Sequence, residues 1–149
     1  MKKKKDFSIE HEFVDFIPRD MRERTLYISI EFATASHRCF CGCGAEVVTP
    51  ISPVGWQLTF DGETVSLAPS VGSWNLKCKS HYWIRRNRVA WAGAMPPEKI
   101  AEVQRRDHAD VLRHYGSQGF AAMPPTSAER PAKTTRRKRL LARLKRLFG

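Results

Sequence analysis

Apolar residues alternate strictly in the run TLYISIEF, residues 25–32, where Leu26, Ile28, Ile30 and Phe32 fall on one face. A period of two is the pattern of a half-buried strand. It predicts a strand over 25–32, with the cysteine-rich run that follows hanging from its end. WQLTF (56–60) and ETVSL (63–67) then flank Asp61-Gly62. Asp-Gly between two β-rich runs signals a hairpin, because a tight primed turn wants positive φ at both central residues. HYWIRR (81–86) and RVAW (88–91) predict a second hairpin turning near Asn87 and Arg88. Trp56, Trp74, Trp83 and Trp91 are spread through this stretch and are expected in the core. After Pro96-Pro97 the period changes. PEKIAEVQRRDHADVLRHY, residues 97–115, reads as a helix with proline in its first turn and Glu98 behind it. Its apolar stripe (Ile100, Val103, Val111, Leu112, Tyr115) is incomplete, so the helix should pack on the edge of the domain.

These patterns describe a small β-rich (α+β) domain with a C-terminal helix and a basic amphipathic tail, and its four cysteines, Cys39, Cys41, Cys43 and Cys78, imply that zinc stabilises it. Residues 1–24 form a basic extension and lead-in, 25–95 the β-rich domain, and 96–115 the packing helix. Residues 116–133, rich in Gly, Pro, Ser and Thr, read as a flexible linker. Residues 134–149 are the tail, in which Leu140, Leu141, Leu144, Leu147 and Phe148 make one helical stripe among Arg and Lys.

Charge refines this picture. The chain has 149 residues and a formal net charge of +11. Lys2–Lys5 and the nine Lys and Arg of residues 130–149 leave 13 basic residues elsewhere against all 15 Asp and Glu. The body is thus close to −2 and the basicity lies in the ends, which argues against a broad nucleic-acid footprint on the domain itself. A short basic amphipathic helix suits an anionic membrane or an acidic protein partner, with nucleic acid less favoured. No apolar stretch approaches the roughly 20 residues of a spanning helix. MKKKKDFSIEHEF lacks the apolar core of a signal peptide, so a reducing, cytoplasmic location is expected and disulfides are disfavoured.

Candidate chemistry centres on the four cysteines. Cys39, Cys41 and Cys43 stand in HRCFCGCG, and Cys78 in CKSHYW, which also supplies His81. Thiols and an imidazole at such spacings suit zinc, and Gly42 and Gly44 permit the tight turns of a metal knuckle. A tetrahedral site cannot use all five donors. Either four cysteines bind and His81 is free, or three cysteines bind with His81. The second is favoured here, because C-x-x-H makes an economical second knuckle. A thiolate-rich shell is normally closed and structural, and the H-x-E with downstream C-x-x-C of deaminase-like zinc is absent.

The run from His37 to Trp91 carries CxCGCG (39–44), W-x-L-x-x-D-G (56–62), P-S-[IV]-G (69–72) and C-x-S-H-Y-x-I (78–84). Over roughly residues 25–92 it resembles an uncharacterised bacterial family whose members are similar to small accessory proteins encoded beside bacterial ubiquitin-like modifiers and their activating and conjugating enzymes. The basic tail and the helix depart from that pattern. The resemblance implies a role in ubiquitin-like conjugation, with the modifier and its conjugating machinery as partners. That role is either binding the modifier or cleaving it from precursors and conjugates. A serine peptidase needs a hydroxyl, a base and usually an orienting carboxylate. Ser70, at an apparent turn in APSVG, His81 and Asp61 are the candidates, whereas Ser80 and His81 point to opposite faces of a strand. The competing expectation is a zinc-knuckle module that binds nucleic acid through its basic ends.

Overall fold

The structure, a computed structural model, describes residues 5–116. Residues 1–4 of the basic extension, the linker from residue 117 and the amphipathic tail 134–149 lie outside the described residues. The described chain forms β1 (Phe7–Ser8), β2 (Glu10–Phe13), β3 (Thr25–Ser29), β4 (Thr34–Arg38), β5 (Glu46–Pro50), β6 (Gln57–Phe60), β7 (Val65–Gly72), β8 (His81–Arg85), β9 (Arg88–Trp91) and α1 (Pro97–Tyr115). One sheet has the order β1-β9-β8-β7-β6 and is antiparallel throughout; the other has the order β2-β3-β4-β5, with β2 parallel to β3. The two sheets bury a common core. Leu26, Ile28, Ala35 and Val47 of one pack with Val65, Leu67, Val71, Tyr82, Ile84 and Val89 of the other. The described residues are therefore β-rich, with one helix following the strands. No helix among the described residues is long and apolar enough to cross a membrane.

Strand β3 ends earlier than alternation suggests. The chain turns after Ser29, with Ala33 N–H donating to Ile30 O at 3.1 Å, and Ile30 and Phe32 are left exposed. The first cysteine run therefore hangs from β4, not β3. All five β3 residues are buried. The parallel step from β2 requires a crossover, and its 14–24 segment covers the outer face, where Tyr27 Oη accepts from Arg22 N and Nε.

Both hairpins form. The first closes through a longer loop than a two-residue turn: Phe60 pairs with Val65, Asp61 N–H donates to Thr64 O, and Gly62 alone in the loop takes positive φ. The second turns at Arg86 and Asn87, both left-handed, one residue before the expected position. The tryptophans divide. Trp56 and Trp91 pack against the core, whereas Trp83 lies on the outer face under the Arg85 guanidinium, 4.3 Å from the ring centre. Helix α1 has no buried residue, and its Asp110, Arg113 and His114 share a shallow hollow with Pro53, Val54 and Gly55.

Candidate active site and thiol cluster

Two turns from different sheets meet at the cysteines. Cys39 follows β4, and the chain wraps back on itself through Gly42 N–H to Cys39 O (3.0 Å) and Cys39 N–H to Ala45 O (2.7 Å). Gly42 and Gly44 have φ of 86° and 79°, a region open to glycine at little cost. Cys78 lies in the turn before β8, held by Leu76 N–H to Ser73 O and Lys79 N–H to Leu76 O. The result is four free thiols, Cys39, Cys41, Cys43 and Cys78, with all sulfurs within 4.8 Å of one another. The Cys39 sulfur is 3.4 Å from that of Cys41 and 3.8 Å from that of Cys78. Four thiolates around a metal at about 2.3 Å would stand about 3.8 Å apart, so the donor set fits a tetrahedral ion and the cluster could hold one.

The four thiols are not alike. Burial pushes Cys39 up to about 12. Burial also raises Cys41, but hydrogen bonding with the Ser80 hydroxyl and Cys43 outweighs it and holds that thiol at about 6. Cys43 is exposed. Tyr82 backs the cluster: its hydroxyl faces Cys39 and bonds His37 Nε2 at 2.7 Å, and the His37 ring stacks on Phe40. His37 is fully buried, and desolvation lowers it to about 3.

His81, expected as a ligand, stands apart from this group. Side chains alternate along β8. Tyr82 points inward to Cys39, and Ser80, on the same side, faces Cys41. His81 is therefore turned to the outer face, where its Nε2 lies 2.8 Å from Ser70 Oγ. Gly72 pairs with His81 across β7 and β8, so Ser70, two residues earlier on β7, shares their face. An irregularity sets that register. Leu67 pairs with Ile84 and Val71 with Tyr82, so four residues of β7 are matched by two of β8, and the cis Ala68–Pro69 bond lies within the bulge. Bulges commonly re-aim a side chain beside a site.

The remaining ring nitrogen, Nδ1, is 3.3 Å from Gly93 O. With Nδ1–H donating to that carbonyl, Nε2 is the acceptor for the serine proton. Trp74 completes the setting. Its ring centroid is 4.9 Å from that of His81, and its indole covers Gly72 so closely that a Cβ there would stand 2.2 Å from Cε2.

Asp61 is not brought to His81. Its Oδ1 accepts from Glu63 N–H (2.9 Å) and Thr64 N–H (2.6 Å), and its Oδ2 from the Thr64 hydroxyl (2.6 Å). The carboxylate is committed to the hairpin it closes, at the far end of β7, on the order of 15 Å from Ser70 by strand rise. The sequence reading missed Gly93, Trp74 and the His37–Tyr82 pair as parts of the site. A backbone carbonyl leaves no trace in composition, whereas Trp74, two residues after a glycine in the motif run, offered a visible clue.

A hydroxyl and an imidazole in contact on a small two-sheet protein, beside a cluster of four thiols, define a β protein with a serine–histidine contact next to a possible metal site. Residues 13–92 match the model of BubE, the bacterial ubiquitination-like system serine protease, and the chain belongs to that family. The matched stretch contains Ser70, His81 and all four cysteines, and stops one residue short of Gly93. No curated protein and no solved structure matches the chain.

Proposed function

We propose that this protein is a serine peptidase of a bacterial ubiquitin-like conjugation pathway, hydrolysing the bond that follows the C-terminus of the modifier in its precursor or conjugates. The observation that carries the reading is the 2.8 Å contact between Ser70 Oγ and His81 Nε2 inside the stretch that matches the family. In this mechanism Ser70 Oγ attacks the scissile carbonyl as His81 Nε2 takes its proton. The same proton then passes to the leaving amine, giving an acyl-enzyme and free amine. Water, deprotonated by His81, attacks the ester; the imidazolium returns that proton to the departing Ser70 Oγ, releasing the modifier with a free carboxylate. Gly93 O holds the tautomer by accepting from Nδ1–H. It carries no full charge, so it orients the imidazole more than it stabilises the imidazolium.

The four cysteines would hold zinc in a closed thiolate shell, which supplies folding energy and no open position for chemistry. His81 is then free to act as base. The test is a modifier bearing a C-terminal extension, incubated with the parent protein, Ser70→Ala and His81→Ala. Both substitutions should lower kcat/KM by about 10³-fold or more, with zinc content and melting temperature unchanged. Cleavage that survives Ser70→Ala, or zinc lost in His81→Ala, overturns the assignment.

A further inference from the structure

Large apolar side chains break the surface mainly at one end of the molecule, where β2, β3 and β6 finish. Phe16 is 70% exposed and Ile30 65%, and Phe13, Phe32 and Phe60 are also exposed. The rings meet in pairs, Phe13 with Phe60 at 5.2 Å and Phe16 with Phe32 at 5.4 Å between centroids. Exposed aromatic pairs of this kind mark a surface that a partner covers. Carboxylates are interleaved with them in sequence: Asp15 precedes Phe16, Glu31 separates Ile30 from Phe32, and Asp61 and Glu63 follow Phe60. Asp15, Glu31 and Glu63 make no ion pair among the described residues.

We propose that this aromatic, acidic end is the docking surface for the chain's own residues 136–148. Three observations favour that occupant. Its composition is the complement of the surface: the apolar stripe Leu140, Leu141, Leu144, Leu147 and Phe148 is set among Arg136, Arg137, Lys138, Arg139, Arg143, Lys145 and Arg146. The described chain also ends on the correct side. The last turns of α1 share a hollow with Pro53–Gly55, and that loop is joined to the turn bearing Ile30 and Phe32 by Ile51 N–H to Ala33 O at 2.7 Å. Finally, the 23 residues between Gly116 and Leu140 would reach about 25 Å as a coil, close to the diameter of a body of this size. Tethering at that length gives a local concentration of order 1 mM, so even a weak intrinsic contact is populated. Ser70 lies at the opposite end of β7, so docking leaves the serine–histidine pair open. The proposal does not rest on the peptidase reading.

Carbodiimide cross-linking of the full-length protein tests it. Monomeric product should join Lys138 or Lys145 to Asp15, Glu31 or Glu63, with a yield independent of protein concentration. The joins should disappear in Leu144→Asp, a change outside the described residues, and in Phe16→Ser/Phe32→Ser. With a local concentration about three times its docking constant the segment is about one quarter available, so releasing it in the latter variant should raise affinity for phosphatidylserine vesicles about fourfold. Cross-links that scatter over Glu98 and Glu102 and ignore both variants overturn the proposal. So do cross-links confined to dimers, which would make a second copy the occupant, and vesicle binding equal in parent and variant.

Discussion

The candidate site turns on which way single side chains point. His81 sits in C-x-x-H, a spacing that reads as a metal knuckle, yet the parity of β8 turns it away from the sulfurs and onto Ser70. Its position depends on Gly72, whose missing Cβ makes room for the Trp74 indole beside the imidazole. Gly72→Ala should displace Trp74 and cost about 1–3 kcal/mol of overpacking. The same change should cut kcat/KM about tenfold by loosening the base, while zinc content stays at the parental value; melting curves, kinetics and metal analysis check all three. Asp61 offers the contrasting case. Hydrogen bonds from the Thr64 hydroxyl and amide and the Glu63 amide hold its carboxyl down at about 2. A folded pKa below the unfolded one contributes stability that is present above about pH 4 and lost as pH falls towards 2. Asp61→Asn should therefore melt earlier than the parent at pH 6 and coincide with it near pH 2, with kcat/KM within about twofold at neutral pH. A large loss of activity at unchanged stability would return Asp61 to the catalytic set. Ser70 and His81 were both legible as candidates. Their contact was not, because it depends on the bulge between Leu67 and Val71, a two-residue slippage that no alternation pattern encodes.

Among the elements, the thiol cluster joins the turn after β4 to the turn before β8, each from a different sheet. Both turns also pack on the core through Phe40 and Leu76, and a metal held by the four sulfurs would tie them together. The protein should purify with about one zinc per chain. Cys43→Ser and Cys78→Ser should each lose the metal and lower the melting temperature by more than about 10 °C, since metal binding and folding are coupled. Cys78→Ser should also slow cleavage, because the same turn leads directly into His81. Zinc-free protein with normal melting would refute the staple. Both hairpins and α1 were readable from turn residues and Pro97. By contrast, β4 (TASHR) was hidden. Its buried residues include Ser36 and His37, polar side chains held inside the fold, so the run carries no hydrophobic signature. Alternation through Ile30 and Phe32 likewise concealed the end of β3, since a turn without glycine or proline gives no local punctuation.

At the scale of the whole molecule, the two-sheet body has distinct ends. One carries the exposed aromatics and carboxylates; the other carries the cysteine cluster and the serine–histidine contact. The face that bears the serine–histidine contact also carries Trp74 and Trp83, and the peptidase proposed above would receive an extended chain end there more readily than a compact small molecule. Net charge misleads at this scale, since the basic residues responsible for +11 gather near the chain termini. One consequence reaches into genetics. The third participant at His81 is the carbonyl of Gly93, a group that every residue type carries. No missense codon removes it, so an alanine scan of the proposed site would register side chains such as Ser70 and His81 and leave the orienting partner invisible. Only a lesion that reroutes the chain between Trp91 and Pro96, such as a deletion, would expose it.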